Sequence, residues 1–342
     1  MMIRRRVFLL LAAIGGVVAA TFVTTAGKGP TTTPGERAEA PAARIIYGRG
    51  RELARLANKK INESSGLACG RKNKGVFWTH NDSGGRARIF AFDARGRDLA
   101  AITLTGARAI DWEDMASFEA GRGGRNILLL ADTGDNGRRR KTYALYAIPE
   151  PPLNMGREKA RRSVSVAQTI HFRYEDGSHD CEAVAVDPTT RTIYLVSKVV
   201  GFRCKVYAVR WSARPSSRAK PLVAGAVGSL TIPPVTAMDI SPDGLRAVVL
   251  TYGSAFEYVR GRGETWAQGF SRRPRIIPMP RRVQGESICY GPDGKTLYLT
   301  SEIGSGSSSF AAPLLEVPVA PAPKDNPTPA TQPATGPAGE LK

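Results

Sequence analysis

The chain has 342 residues, of which 42% are hydrophobic, and this content excludes general disorder. Its 36 Gly and 24 Pro residues, with few aromatic residues, favour many short strands joined by turns and argue against a helical bundle. The formal net charge is +19, carried by scattered arginine runs without interleaved aromatic residues. This pattern indicates a basic exterior able to contact an anionic cell surface, and it matches no specific nucleic-acid-binding module.

The first 26 residues have the features of an export signal. A basic segment at residues 1–6 precedes an apolar stretch at residues 7–20, and small residues follow up to Ala26. A cleaved signal peptide is the first interpretation. Because Phe22 and Val23 extend the stretch toward spanning length, an uncleaved N-terminal membrane anchor is the alternative. Both predict export to the periplasm, the cell surface or the extracellular medium.

Two segments of low complexity flank the predicted folded domain. Residues 27–43 are rich in Thr, Pro, Gly and Ala, which predicts a flexible linker. Residues 320–342 have a similar composition and predict a Pro-rich disordered tail. The folded domain is therefore expected at residues 44–319.

Five segments of this domain share one pattern: an acidic residue, a short strand, a turn and a second apolar strand. They begin at Glu63, Glu113, Glu182, Asp239 and Glu286, at intervals of 50, 69, 57 and 47 residues. Such a period is typical of the four-stranded blades of a β-propeller. The Pro-Asp-Gly sequences at residues 242–244 and 292–294 support this reading, because Pro and Gly favour tight hairpin turns.

The repeat predicts an all-β fold: a single β-propeller with four-stranded antiparallel blades around a central channel. Five blades are preferred, because the last repeat lacks an outer strand and residues 43–47 offer one from the other terminus. Six blades would require further strands within the 69-residue interval. A two-sheet β-sandwich is the alternative, and the matching strand order of the five units argues against it. We expect a monomer.

Propeller geometry brings the start of each first strand and the end of each second strand to one mouth of the channel. The repeats therefore predict a ring of polar side chains there. The expected metal ligands are Glu63, Glu113, Glu182, Asp239 and Glu286. The other residues expected at the mouth are Asn81, Asp111, Asp114, Asp132, Asn136, Asp180, Lys198, Tyr252 and Glu302.

Crowded carboxylates repel each other, and a bound cation relieves the repulsion. Oxygen ligands without His or Cys favour Ca²⁺, with Mg²⁺ second. The alternative is that these acids accept hydrogen bonds from loop N–H groups or pair with arginines, and so tie neighbouring blades together. For Lys198, neutralisation of Glu182 is favoured over binding of an anionic substrate.

Three residues are weak candidates for catalysis: His80, Asp82 and Asp135. His80 would act as a base beside Asp82, although a hydrogen-bonded rim residue is the favoured reading. No Gly-x-Ser-x-Gly motif is present, which argues against a serine hydrolase.

The four cysteines, Cys69, Cys181, Cys204 and Cys289, can form disulfides after export, and three pairings exist. Pairing of Cys181 with Cys204 is favoured because both belong to one repeat. Four free thiols are the alternative.

Several short strings resemble those of secreted bacterial β-propellers described as WD-repeat-like or TolB-like. They are Glu63-Ser-Ser-Gly-Leu-Ala, Trp78-Thr-His-Asn-Asp-Ser-Gly-Gly85, Asp111-Trp-Glu-Asp-Met-Ala116, Asp132-Thr-Gly-Asp-Asn136, His179-Asp-Cys-Glu-Ala183 and Gln284-Gly-Glu-Ser287. The resemblance covers about residues 63–302 and implies the fold. More distantly, the acidic mouth is similar to that of β-propeller phytases, which hold Ca²⁺ and hydrolyse phosphate esters. It is also similar to calcium-activated nucleotidases, five-bladed enzymes with an axial Ca²⁺ held partly by glutamates.

Together these observations predict an exported module that binds a ligand or protein partner at an acidic channel mouth containing Ca²⁺. The alternative is a metal-dependent hydrolase of phosphate esters, in which Asp82 or Asp135 orients water. The binding module is favoured because the sequence shows no recognisable nucleophile or base.

Overall fold

The structure is a computed structural model that describes residues 45–82, 85–121, 123–154, 160–211, 216–303 and 311–321. All of them belong to one compact unit, Glu39–Lys342. The predicted export segment at residues 1–26, the linker at residues 27–43 and nearly all of the predicted tail lie outside the described residues. Within the described ranges, no helix combines the length and apolarity needed to cross a membrane.

The prediction of an all-β fold is confirmed. The first strands in chain order are β1 (Arg51–Arg55), β2 (Ser64–Cys69), β3 (Val76–Asn81), β4 (Arg88–Asp93), β5 (Asp98–Thr105), β6 (Trp112–Glu119), β7 (Asn126–Asp132), β8 (Tyr143–Pro149), β9 (Ala160–Ser165), β10 (Gln168–Tyr174) and β11 (Cys181–Val186). They are followed by β12 (Thr192–Ser197), β13 (Cys204–Arg210), β14 (Leu222–Leu230), β15 (Val235–Ile240), β16 (Arg246–Thr251), β17 (Ala255–Val259), the helix α1 (Trp266–Phe270), β18 (Arg275–Ile277), β19 (Gln284–Tyr290), β20 (Leu297–Glu302) and β21 (Pro313–Val317).

The strands form four sheets. Their orders are β2-β3-β4-β5-β9, β6-β7-β8-β10-β14-β13-β12-β11, β15-β16-β17-β18, and β19-β20-β21-β1. The eight-stranded sheet consists of two antiparallel ladders of four strands, joined where β10 pairs with β14 in parallel. A second parallel pair adds β9 to the outer side of β5. Counted as antiparallel ladders, the described residues form five units of four strands.

The first strands of the five ladders, β2, β6, β11, β15 and β19, contact one another in a cycle that returns from β19 to β2. We call them the inner strands. They consist largely of buried residues, many of them small, such as Gly66, Ala116 and Ala183. Small side chains allow the backbones of neighbouring inner strands to approach more closely than the roughly 10 Å that usually separates packed sheets.

The hydrophobic core is divided among the interfaces between neighbouring ladders. Five clusters of buried residues occur, one for each pair of ladders whose inner strands touch. Trp78 and Trp112 lie in the cluster between the first two ladders, and Trp266 of α1 packs between the third and fourth. Burial is therefore spread around a closed cycle, with no single central core.

The outer strand of the last ladder is supplied by the N-terminal part of the chain, as expected, but eight residues later than predicted. The strand is Arg51–Arg55, which pairs with β21, whereas the predicted residues 43–47 contribute only a single bridge between Tyr47 and Val319. The interruption has a physical cause. Pro318 lies between the two paired regions and has no N–H to donate to the ladder.

All four cysteines are free thiols in the structure, so the favoured Cys181–Cys204 disulfide is not formed. The Cys181 thiol donates to the carbonyl of Val196 at 3.2 Å, whereas the Cys204 thiol points to the carbonyl of Pro233 at 3.8 Å. Placement in one repeat does not bring the two side chains together, because they lie on the first and third strands of their ladder.

Candidate functional site

Each inner strand carries a β-bulge near its beginning. The residues left without a partner on the second strand are Ser65, Glu113, Glu182, Thr236 and the pair Gly285-Glu286. Bulges redirect a side chain away from the regular alternation of a strand. The five polar side chains at these positions are all buried, and three of them are glutamates.

The two hydroxyl residues in this set show that the bulges lie side by side. The Ser65 hydroxyl donates to the carbonyl of Glu113 at 2.8 Å, and the Thr236 hydroxyl donates to the carbonyl of Gly285 at 2.9 Å. Each bond joins the bulge of one inner strand to the bulge of the next. Where the bulged residue is not glutamate, it therefore links neighbouring ladders.

A second row of acidic residues precedes the bulges by two positions. The carbonyls of Glu63, Asp111 and Asp180 accept hydrogen bonds from the residues that follow the second strands, namely Asp82, Gly134 and Lys198. Glu63 thus corresponds in space to Asp111 and Asp180, and the counterpart of Glu113 in the first ladder is Ser65. The sequence alignment of Glu63 with Glu113 and Glu182 was wrong by two residues, because the bulge residue of the first ladder is Ser65 and its nearest acidic residue lies two positions earlier.

Seven carboxylates from these positions form three overlapping groups, within each of which the oxygens lie no more than 4.8 Å apart. The groups are Asp82 with Asp111 and Glu113, Asp82 with Glu286 and Glu302, and Glu113 with Asp180 and Glu182. Asp82 and Glu113 each belong to two groups, so the seven form one continuous carboxylate arc. Six of the seven are buried and Asp111 is half-buried.

Burial and mutual repulsion favour the protonated forms of these acids. Burial, followed by the charges of Glu182 and Asp82, raises the pKa of Glu113 well above its usual range. Burial together with the hydrogen bond and charge of Glu286 raises the pKa of Glu302 to about 10. The Oε1 atom of Glu302 is buried without a hydrogen-bond partner among the described residues. A buried polar atom without a partner is costly, and a cation would relieve that cost.

One end of the arc already contains a protein cation. Lys198 Nζ lies 2.8 Å from Glu182 Oε1 and sits 5.4 Å from the centre of the Tyr252 ring. The neighbouring Glu182 raises the pKa of Lys198 although burial opposes its charge, and burial still holds the pKa of Glu182 at about 7. By contrast, the largest charges acting on Glu302 come from carboxylates. The groups that share Asp82 are therefore the more favourable place for a bound cation.

The loop after β7 closes on the arc at a glycine. A Cβ atom at Gly134 would lie 2.0 Å from Glu113 Oε1 and 2.6 Å from Asp111 Oδ2. No side chain fits in this space, so only glycine allows the loop to approach the carboxylates.

Asp114 has a structural role. Its Oδ2 atom accepts the N–H groups of Val184 at 2.9 Å and Met238 at 3.1 Å, while Oδ1 accepts its neighbour Met115 N–H at 2.8 Å. The fully buried side chain thus ties β6 to β11 and β15. Burial raises its pKa well above the usual value, although these bonds act in the opposite direction.

Asp132 and Asp135 fix the loop that follows β7. Asp132 Oδ1 pairs with Arg140 at 2.9 Å. Asp135 accepts the backbone N–H groups of Arg139 and Arg140 and the hydroxyl of Tyr143. For these two acids the observed contacts correspond to the alternative reading of the sequence, in which acids bind loop donors and arginines.

Asp239 is not brought to the arc. It lies three residues beyond the bulge of β15, where its carboxylate accepts the N–H groups of Tyr290 and Ile240 at 2.8 Å. It lines a separate cavity of about 350 Å³ together with Arg71 and Ser117, and burial raises its pKa to about 7. The bulge position that it was expected to occupy belongs to Thr236.

The remaining predicted residues are not members of the arc. His80 is buried with Nδ1 3.0 Å from the carbonyl of Asn81 and its ring edge-on to Trp112, and burial lowers its pKa. Asn81 donates to the carbonyl of Lys60. Asn136 and Tyr252 are exposed.

Sequence reasoning missed the hydroxyl residues at the bulges and the role of Asp82 as the shared member of two groups. The polar residue at the second position of four inner strands and at the third position of β19 was the available signal, but the bulge that makes these positions equivalent has no sequence signature.

Comparison of the sequence with protein-family models finds no match, and comparison with curated proteins finds no significant match.

Proposed function

We propose that the five ladders are the blades of a single five-bladed β-propeller. The cycle of inner-strand contacts, the five separate hydrophobic clusters and the outer strand donated by β1 all support this architecture. In this arrangement the carboxylate arc lies at one mouth of the central channel.

We further propose that the arc binds a divalent cation, with Ca²⁺ preferred over Mg²⁺. The observation that carries the proposal is the Oε1 atom of Glu302, which is buried beside Asp82 and Glu286 and has no hydrogen-bond partner within the described ranges. Oxygen is the only donor type in the arc, and Ca²⁺ accepts six to eight such ligands in flexible geometry. Asp82, Glu286 and Glu302 would hold the ion, and Asp111 and Glu113 adjoin it through Asp82.

The function that this site supports best is that of an exported binding module. A cation held by carboxylates at a channel mouth offers open coordination positions to an oxygen-rich ligand or to an acidic side chain of a protein partner. The alternative, a phosphate-ester hydrolase, is less well supported. Of its candidate groups, His80 has Nδ1 3.0 Å from the carbonyl of Asn81, and Asp135 accepts hydrogen bonds from the loop that follows β7 and from the hydroxyl of Tyr143.

The first experiment is to measure the metal content of the purified protein and the heat of Ca²⁺ and Mg²⁺ binding after chelation. We expect about one Ca²⁺ per chain, and binding that Glu286→Gln abolishes. Glu52→Gln is the matched control, because Glu52 is exposed, pairs with Arg55 and is not a member of the carboxylate arc. A wild-type protein that folds, contains no divalent metal and binds none at millimolar concentration would disprove the metal site.

A second experiment separates the binding module from the hydrolase. The Ca²⁺-loaded protein is incubated with a nitrophenyl phosphate ester, and release of nitrophenol is followed. We expect no release above the rate in buffer. Turnover that Asp82→Asn removes without changing the melting temperature would favour the hydrolase.

Export remains a proposal that rests on residues 1–26. It is tested by fractionating cells that produce the full chain and sequencing the mature N-terminus. A mature chain that begins near residue 27 in the exported fraction would establish a cleaved signal. Full-length protein in the membrane fraction would establish the anchor, and protein confined to the cytoplasm would refute export.

A further inference from the structure

Two cysteines that are 220 residues apart in the chain meet where the first and last ladders touch. Cys69 ends β2 and Cys289 lies near the end of β19, and their Sγ atoms are 3.6 Å apart. The two strands belong to different sheets. We propose that Cys69 and Cys289 are a redox-sensitive pair that forms a disulfide in an oxidising environment and covalently joins the first ladder to the last.

The geometry requires only a small movement. A disulfide has a sulfur–sulfur distance of about 2.05 Å, so the sulfurs need to approach by roughly 1.5 Å. Cys69 is the last residue of its strand, and the chain turns immediately afterwards at residues 71–75. Rotation of the Cys69 side chain with a shift of this strand end would close the gap.

The surroundings give the two thiols different roles. Cys69 is half-buried and lines the 350 Å³ cavity that also contains Arg71 and Lys74. Cys289 is buried in the apolar cluster around Phe77 and Leu314, where burial raises its pKa well above the usual value. Cys69 is therefore the thiol that an external oxidant can reach, and Cys289 is the resolving thiol.

The oxidant is a small-molecule disulfide such as oxidised glutathione. The Cys69 thiolate attacks one sulfur of that disulfide, forms a mixed disulfide and releases one thiolate. Cys289 then loses its proton, attacks Cys69 Sγ and releases the second thiolate. Two electrons pass from the protein thiols to the small disulfide, and the two protons lost by the cysteines are taken up by the released thiolates.

Cys181 and Cys204 provide an internal control. Both are buried, and their thiols face different carbonyls, that of Val196 in β12 and that of Pro233 between β14 and β15. We expect them to remain reduced, so the oxidised protein contains one disulfide and two thiols. The inference is independent of the metal site, since no member of the carboxylate arc lines this cavity.

The test begins with the full chain, reduced and then freed of reductant. The folded protein is equilibrated with oxidised glutathione, alkylated after unfolding, and mapped by mass spectrometry of non-reduced peptides. We expect a cross-link between the peptides of Cys69 and Cys289, and alkylated Cys181 and Cys204. We also expect the melting temperature to rise by roughly 5–10 °C on oxidation, because the cross-link closes a long loop.

Two variants complete the test. Cys69→Ser should remove both the cross-link and the rise in melting temperature, whereas the double variant Cys181→Ser with Cys204→Ser should retain both. The proposal fails if folded wild-type protein keeps four reactive thiols, if glutathione remains attached to Cys69 without transfer to Cys289, or if the cross-link involves Cys181 or Cys204. Peptide mapping of the wild-type chain decides the question even if a variant does not fold.

Discussion

The negative charge of Glu113 should be unfavourable for folding without a bound cation and favourable with one. It belongs to two groups of the carboxylate arc, and burial and neighbouring acids raise its pKa well above the usual range. Without a cation, its negative charge opposes folding. With a cation in the arc, the same charge contributes to binding. The sign of its contribution to stability should therefore depend on Ca²⁺.

We predict that Glu113→Gln raises the melting temperature of the metal-free protein at pH 8 by about 2–4 °C, equivalent to roughly 1 kcal/mol for a domain of this size. In Ca²⁺ the variant should melt below the wild type, because a ligand charge is lost. Calorimetry with chelator and with Ca²⁺ measures both values. A purely structural role would lower the melting temperature equally in both conditions, and Glu52→Gln should change neither.

The raised pKa values also predict how stability depends on pH. Glu302 has a pKa of about 10 in the folded chain and an ordinary value of 4.5 when unfolded, so the folded state binds more protons between these values. Stability is therefore complete below the ordinary value and is lost as the pH rises toward 10. The range from pH 7 to 9 is the informative one for Glu302. The lowered pKa of His80 changes the stability only at pH values below the ordinary histidine value of 6.5.

We expect the unfolding free energy of the metal-free protein to fall between pH 7 and 9 by at most about 1.4 kcal/mol per pH unit for each proton involved. Denaturant titrations at several pH values measure this slope. Saturating Ca²⁺ should flatten it, because the cation replaces the protons, and Glu302→Gln should flatten it without Ca²⁺. An identical slope in all three samples would contradict the assignment.

At the scale of the strand, Asp114 connects elements that are distant in sequence. Its carboxylate accepts backbone N–H groups from β11 and β15 while its own strand is β6. Inner strands of neighbouring ladders are not hydrogen-bonded to each other as sheet neighbours. Side-chain hydrogen bonds of this kind therefore fix the positions of these strands relative to one another. Ser65 and Thr236 serve the same purpose at the bulges.

We predict that Asp114→Ala lowers the unfolding free energy by about 3 kcal/mol or more, because the N–H groups of Val184 and Met238 are left buried without partners. Asp114→Asn should lower the unfolding free energy by less, since its amide oxygen can still accept the hydrogen bonds from Val184 and Met238. Some loss remains, because its NH₂ group then faces the N–H of Met115. Urea unfolding measures the series. Ca²⁺ should not change the differences, and equal losses for the two variants would contradict the hydrogen-bonding role.

At the scale of the whole molecule, the order of the chain determines how the cycle of ladders closes. β1 is the outer strand of the last ladder, although it begins the described fold, and its partner β21 is the last strand. Without β1, the hydrogen-bonding edge of β21 would be exposed to pairing with another molecule.

We predict that a chain starting at Ala57 aggregates, or melts roughly 10 °C or more below a chain starting at Ile45. The two chains differ by residues 45–56, which contain β1, the buried side chains of Ile45 and Leu56, and the bridge of Tyr47 with Val319. Light scattering and calorimetry of the two chains measure the difference. Equal stability and solubility would show that β1 is not needed for closure.

Much of the fold could be read from the sequence, because strand period and turn chemistry are local properties. The strands beginning near Val76, Asn126, Thr192 and Arg246 follow from apolar runs bounded by turn residues. The outer strand was displaced because the pairing of the two termini depends on Pro318, which is distant from β1 in sequence. The predicted Cys181–Cys204 disulfide is not formed, because the proximity of two side chains depends on which face of which strand each one occupies.

The sequence by itself determined the all-β class and the set of acidic residues from which the site is drawn, because hydrophobic period, turns and composition act over a few residues. The tertiary structure alone decided which acids meet. Bulges near the start of the inner strands bring Glu113 beside Asp82 and Glu182, and bring Glu286 beside Asp82 and Glu302. Glu63 lies two positions before the bulge residue Ser65, and Asp239 lines a different cavity. The physical reason is that a one-residue shift in register redirects every side chain of a strand, and register is fixed by long-range pairing and packing.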